Sequence, residues 1–328
     1  MIKFPIAYKT GNVNVTIDSD GTRICEWPDD EKPFYENALS IDLKITDQCD
    51  LGDVYNDDGD LVSRSKTCEF CHEMSSNKGK HADLDKVWDI WKHAQPGSEV
   101  AIGGGNPLDH PDLIQFLQRL QSANIIANMT VNFYHTRRYS EMIKMLQREK
   151  LIHGMGLSYR GIKSLNVLPD FDYANVVFHL ILGVHDYNDC KAVIKWCKFH
   201  DIRPKILLLG YKTYGNGLAY YSEGIESKLK QWKKDIINLM GKDGLIISFD
   251  NKALDQLDMR KVLSKETWDK FYQGNEGTMS LYFSAVNEKF AMNSTSPILH
   301  DIYPGITPRD MLKTIHEEVE KNRNSDKI

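Results

Sequence analysis

The 328-residue sequence predicts an α/β protein built on a partial (β/α)6 TIM-like barrel, with an N-terminal β-hairpin and a mixed α+β C-terminal segment. Three observations lead there. Between residues 39 and 217, six short apolar segments alternate with amphipathic helical stretches, the signature of parallel βαβ units. Six strands fall short of the eight that close a complete barrel, so the barrel is expected to be open. The first forty residues carry a two-residue alternation instead.

In chain order, Asn12 to Ile17 alternates polar and apolar residues, Asp18-Ser19-Asp20-Gly21 turns, and Thr22 to Trp27 returns, giving a hairpin over residues 1–38 with Cys25 in an apolar slot. Leu39 to Ile45 is the first barrel strand. Leu84, Val87, Trp88 and Trp91 share a helical face, and Val100 to Ile102 is the second strand. A helix opening near Pro111 carries Leu113, Phe116, Leu117 and Leu120 on one face. Ile125 to Phe133, Met155 to Tyr159, Val176 to Val184 and Ile206 to Gly210 are strands three to six. Met142, Ile143 and Leu146, then Cys190, Val193, Ile194 and Cys197, mark helices between them. The barrel core is thus 39–217 and a capping segment 218–320. That segment holds a strand at Gly244 to Phe249 and a hairpin of Leu281 to Ala285 with Phe290 to Met292, before a frayed tail at 321–328.

Composition narrows the class. Hydrophobic residues are 41% and charged residues 27%, enough for a real core; Lys plus Arg number 41 against 46 for Asp plus Glu, so no basic surplus invites nucleic acid. No apolar run approaches a membrane span and the first residues lack a signal peptide, so a cytoplasmic protein is expected. Six cysteines are too few for a disulfide scaffold.

Three of those cysteines carry the strongest signal. Cys68-Glu69-Phe70-Cys71 is a C-x-x-C pair, and Cys49 lies at the end of the first strand. Three thiolates without a fourth protein ligand suit an iron–sulfur cluster with one open iron. The arrangement resembles the radical SAM (S-adenosylmethionine) superfamily, whose signature is C-x-x-x-C-x-Φ-C after the first strand, Φ being aromatic. Cys49, Cys68 and Cys71 stand for the three cysteines and Phe70 for Φ. The first gap departs from the signature, spanning the 18 residues 50–67, in which Tyr55 to Asp60 reads as the turn of an inserted hairpin. After the second strand, Gly103-Gly104-Gly105-Asn106-Pro107, followed by His110-Pro111-Asp112, is similar to the family's Gly-Gly-Glu-Pro segment, with Asn106 in place of the acid. Ser158 is similar in position to the family's polar residue for the SAM ribose or carboxylate. Ile181 and Gly183 partly match its fifth-strand pattern, and Leu209 lies where apolar backbone packs on adenine.

The resemblance implies a single-cluster enzyme without a cysteine-rich C-terminal extension. A [4Fe–4S] cluster on Cys49, Cys68 and Cys71 would hold SAM at the open iron and cleave it reductively, and the resulting radical would abstract hydrogen from a peptide, protein or small-molecule substrate. It also implies a one-electron donor such as a flavodoxin or ferredoxin. The competing reading is a non-catalytic metal-binding adaptor on a degenerate barrel, holding an iron–sulfur cluster or zinc on Cys68, Cys71, His72, His81 and Cys49. A calcium loop around Asp58-Gly59 fails, because Val54 and Ser65 sit where its first and last acids belong. Cys190 and Cys197 read as core residues, Asp250 and Asn251 as a helix cap, and Lys228, Lys230, Lys233 and Lys234 as a wet helix face. His135, His179, Lys212 and Tyr214 are candidates to face the barrel mouth, with core or solvated roles open.

Overall fold

In the computed structural model, which describes residues 2–19, 21–50, 54–55, 61–63, 68–166, 168–242, 244–272 and 274–325 (excepting the side chains of 54–55, 61–63 and 323–325), the alternation at the N-terminus makes three strands. These are β1 (Ile6–Thr10), β2 (Val13–Ile17) and β3 (Arg23–Glu26), all antiparallel. The expected hairpin is β2 with β3. The strand missed in the sequence, β1, places Ile6 and Tyr8 on the core side, a five-residue pattern too short to announce itself. Val13, Val15 and Ile17 point into the core, and Cys25 is half-buried opposite Val15. An Arg23–Glu99 ion pair of 2.5 Å and Tyr8, packed on Gly97, seat this sheet under the N-terminal ends of the barrel strands.

The barrel begins with β4 (Ser40–Thr46), followed by the short pair β5 (Val54–Tyr55) and β6 (Leu61–Ser63) and helix α1 (Leu84–Trp91). Then come β7 (Glu99–Gly104), α2 (Leu113–Ser122), β8 (Ile126–Asn132), α3 (Phe133–Arg138), α4 (Ser140–Arg148) and β9 (Gly154–Ser158). The short α5 (Ile162–Leu165) leads to β10 (Val176–Ile181), α6 (Tyr187–Phe199) and β11 (Lys205–Leu209). Beyond these lie α7 (Asn216–Tyr220), α8 (Glu223–Asp235), β12 (Ile246–Phe249), α9 (Asn251–Gln256), α10 (Met259–Val262) and α11 (Lys265–Phe271). The chain closes with β13 (Ser280–Ser284), β14 (Lys289–Ala291), β15 (His300–Asp301) and α12 (Pro308–Ser325).

One ten-stranded sheet runs β12-β11-β10-β9-β8-β7-β4-β13-β14-β15, parallel from β12 through β13. The fold is therefore a partial TIM-like barrel, as expected, but with more parallel strands than the six read from sequence. The strand at 246–249 joins β11, and β13, read only as half of a hairpin, also pairs in parallel with β4. That second pairing links residues so far apart that no local pattern foretells it. The outermost strands β12 and β15 do not pair with each other, so the barrel stays open on one side. The tail read as frayed from residue 321 is helical to Ser325, because α12 is anchored by the buried Met311, Leu312 and Ile315. Among the described residues, no helix is long and apolar enough to cross a membrane.

The two faces of the sheet differ sharply. Ile41, Leu43, Val100, Ile102, Leu157, Phe178, Leu180 and Leu208 pack outward against the helices, each nearly fully buried; such burial stabilises by about 1.5–3 kcal/mol per side chain. The inner face carries Asp42, Ala101, Asn128 and Gly154 in one row and Asn132, Ser158, His179, Leu207 and Ser248 in another. A closed barrel fills this space with bulky aliphatic layers. Here small and polar residues leave it hollow, and Asp42, in mid-strand, is solvent-exposed.

Candidate functional site

The residues singled out in the sequence converge on the C-terminal rim of the parallel strands. Gly103 and Gly104 end β7, Ser158 ends β9, Ile181 ends β10 and Leu209 ends β11; Gly105, Asn106 and Gly183 follow within two residues of their strands. Cys49 lies three residues past β4. No disulfide joins the six cysteines.

The long cysteine gap is bridged locally. β5 and β6 pair antiparallel within the insertion, and the turn expected at Tyr55 to Asp60 lies, but for Tyr55, outside the described residues. The chain then returns to its starting point: Cys49 N donates to Ser76 O at 2.9 Å, Ser76 N to Asp47 O at 3.0 Å and Asp47 N to Lys80 O at 2.8 Å. The neighbouring Ser75 N–H, with that of Glu73, points at the Cys71 sulfur, while burial pushes the Cys71 thiol up. The Ser75–Ser76 dipeptide thus ties Cys49 on one side and Cys71 on the other. Asn216 clamps the Cys68–Cys71 turn, its N bonded to Cys71 O (3.1 Å) and its Nδ2 to Cys68 O (3.2 Å). Phe70 leans on Tyr220 and His185, with ring centroids 5.7 and 6.5 Å apart.

The glycines divide by role. At Gly105 a Cβ would lie 2.0 Å from Gln48 O, and at Gly104, where φ is +108°, 2.3 Å from Thr46 O. Hydrogen bonds of 2.7 Å from Gly105 N to Thr46 O and from Asn106 N to Gln48 O seal this contact. Gly104 and Gly105 therefore let the segment lie on the backbone that leads to Cys49. Only Gly103 looks onto open space, with nothing within 4 Å of its missing Cβ. Gly104→Ala combines a positive φ with overpacking and is expected to lose at least about 2 kcal/mol of stability, read as a lower urea midpoint at unchanged slope. Asn106 is fully buried, and among the described residues neither its Oδ1 nor its Nδ2 has a hydrogen-bond partner. An orphaned buried amide costs about 1–3 kcal/mol, and among the described residues nothing offsets that cost at Asn106.

The two histidines of the zinc set have other partners. His81 Nδ1 sits 2.9 Å from Thr46 Oγ1, and His72 Nε2 is 3.2 Å from Ser294 Oγ and 3.5 Å from Glu73 Oε1. Among the described residues no three Cys, His, Asp or Glu side chains converge on one ion. A four-iron cluster makes no such demand, since each cysteine binds a different iron.

Polar side chains continue into the hollow. Lys44, almost fully buried, is 2.6 Å from both Asp47 and Glu73, and Tyr282 donates to Glu73 at 3.1 Å. Lys212 donates to Ser294 Oγ at 2.9 Å and faces Asp42, Asp250 and Glu276; burial holds the carboxyls of Asp250 and Glu276 above their ordinary range, and Asp42, though water reaches it, is raised the same way by the confining walls of the hollow. Tyr214 is half-exposed. Asp250 caps α9, accepting from Ala253 N at 2.7 Å, as expected. Lys228 is no solvated lysine: it donates to Val184 O at 2.8 Å. Cys190 and Cys197 are fully buried core residues, burial pushing each thiol up to about 12. On the barrel's open side, a cavity of about 1110 Å³ is lined by Lys212, Tyr214, Trp268, Tyr272, Glu276 and Asn293 among others.

Burial lowers six imidazoles among the described residues, those of His72, His110, His135, His153, His179 and His185. His135, beside Asp50 at 3.7 Å, falls to about 4, His179 to about 4 and His185 to about 3, the last also repelled by Arg160 and Lys228. His179 and His185 contribute stability that is whole above the ordinary value of 6.5 and is lost as pH falls toward about 4 and about 3. Urea midpoints are expected to drop from pH 7 to pH 5, by up to about 1.4 kcal/mol per pH unit for each group, and less in His179→Gln. A flat profile would show both imidazoles titrating normally.

Two site residues escaped the sequence reading. His185 accepts from Ile181 N at 2.9 Å and fixes the Gly183 turn, where φ is +83°. Arg160, two residues past β9, donates from Nη1 to Cys68 Sγ at 3.2 Å. A cation just beyond a strand's C-terminal end was the available signal.

No protein-family model matches the chain, and no curated protein does. Among solved structures it is similar to Streptococcus suis SuiB bound to the precursor peptide SuiA (TM-score 0.56, 13% identity, 86% of this chain and 65% of that one). SuiB bound to S-adenosylmethionine matches with TM-score 0.53 and 14% identity, over 82% of this chain and 64% of that one. A further SuiB structure matches with TM-score 0.52 and 13% identity, over 89% and 82%. The chain thus spans slightly less than two thirds of the first two, and at this identity the likeness speaks of architecture alone: the chain shares its partial TIM-like barrel fold with SuiB.

Proposed function

We propose that the chain is a radical SAM enzyme that holds one [4Fe–4S] cluster on Cys49, Cys68 and Cys71 and acts on a peptide. The observation that carries this reading is the convergence, on one rim, of the cysteines tied through Ser75–Ser76 with the orphaned Asn106 amide beside them. When bound, the cluster supplies an electron that cleaves SAM and so begins hydrogen abstraction. The chain's own residues do the rest. Asn106 accepts a hydrogen bond from the SAM amino group, Gly103 leaves room for the methionine moiety, and Ser158 offers its hydroxyl to the ribose or carboxylate. Ile181, Gly183 and Leu209 present strand-end backbone to the adenine, and Phe70 shields the cysteine turn from water.

The peptide assignment rests on two supports. SuiB, with the same fold, has been solved with a precursor peptide. The hollow inner face and the cavity of about 1110 Å³ on the open side offer space for a chain rather than a compact metabolite. The electron comes from a small one-electron donor of the flavodoxin or ferredoxin kind. The test is iron and sulfide analysis with EPR on anaerobically reconstituted protein, with and without SAM. About four irons per chain and a reduced-cluster signal altered by SAM are expected. Intact protein that takes up no iron would leave a non-catalytic barrel adaptor as the better reading.

A further inference from the structure

Arg160 is distinguished by its neighbours. Its Nη1 donates to Cys68 Sγ at 3.2 Å, and its guanidinium carbon lies 4.9 Å from the Phe70 ring centroid and 5.4 Å from that of Tyr134. Among the described residues it makes no ion pair with a carboxylate, unlike Arg23, Arg119 and Arg138. A half-buried guanidinium held between aromatic faces, with a sulfur at the end of its fork, is a cation waiting on the charge at that sulfur. The other sulfur of the pair is held differently, since Cys71 faces the neutral backbone N–H groups of Ser75 and Glu73. The two thiolates of one C-x-x-C turn therefore sit in unequal fields.

We infer that Arg160 tunes the cluster through Cys68, making it easier to reduce. This rests on the cluster reading above. Reduction adds one electron, and so one negative charge, to a group whose Cys68 sulfur already accepts a charged N–H. Such a bond draws electron density off the sulfur, and the nearby positive charge favours the more negative state. Phe70 and Tyr134 position the guanidinium. Phe70 is itself fixed by Tyr220 and His185, so the geometry is set before any electron arrives. Arg160 is thus a positioning residue that acts on the reduction equilibrium.

The experiment is a dithionite titration followed by EPR, without SAM, on reconstituted wild type, Arg160→Gln, Arg160→Lys and Phe70→Leu, with iron measured in each. One electron passes from dithionite to the cluster and no other bond changes. In Arg160→Gln the ratio of reduced to oxidised cluster at a given potential is expected to fall about tenfold or more, equivalent to 59 mV for a one-electron couple. Arg160→Lys is expected between the two, and Phe70→Leu to shift the same way by less. Equal potentials at full iron content would overturn the inference and leave the cluster reading standing. A wild type without iron would instead overturn the cluster reading, and this inference with it. Should Arg160→Gln fail to fold, the Lys and Phe70→Leu comparisons decide alone.

Discussion

Cys68→Ala/Cys71→Ala is expected to lower iron from about four per chain to a trace and to abolish SAM cleavage, while the barrel stays folded. Both side chains lie in a loop at the rim rather than in the packed layers, so their removal leaves the helix-facing core intact. Cys49→Ala is expected to match the double variant, because its backbone bond to Ser76 puts it in the same knot of chain. Cys25→Ala and Cys197→Ala serve as controls. One is half-buried in the N-terminal sheet and the other fully buried in α6, so both should retain iron, with Cys197→Ala losing some stability as a small cavity opens. Full iron in the Cys68/Cys71 variant would sink the ligand assignment outright.

Asn106→Leu is expected to move two readouts in opposite directions. Leucine shares asparagine's branched skeleton, though it is bulkier, and has no unpaired polar atoms, so the SAM-free protein should gain up to about 1 kcal/mol in urea unfolding. SAM binding should weaken by about ten- to a hundredfold, the span of a lost hydrogen bond to a charged group. A structural role alone cannot produce this crossing of signs. Lower stability with unchanged SAM affinity would mean that Asn106 serves the fold and that another group holds the amino end of SAM.

Much of this was legible in the sequence, because barrel strands are local objects. The six strands from Leu39 to Gly210 were read to within a few residues, and α2 buries Leu113, Phe116, Leu117 and Leu120 as its spacing required. What stayed hidden depends on distant pairing or on direction. β13 carries no mark that it will lie beside β4. The triple glycine reads as one motif, yet Gly104 and Gly105 serve the neighbouring backbone while Gly103 alone faces the open interior. Arg160 and Cys68 are remote in sequence and meet only because β9 and the cysteine turn end at one rim. His72 and His81 likewise point at partners that spacing does not reveal.

The pairing of β13 with β4 also bears on how the chain is made. Ser40 lies opposite Ser280, so the first barrel strand waits through 240 residues (280 − 40) of synthesis for its second neighbour. Until then one edge of β4 shows bare N–H and C=O groups, and Trp91 lacks the Phe283 ring that stacks edge-on against it at 6.3 Å. Such an edge is a template for pairing with other chains. The stretch from 39 to 217 that looks self-sufficient on paper is therefore an unfinished sheet, and the ribosome must release the last third of the protein before the first strand is protected.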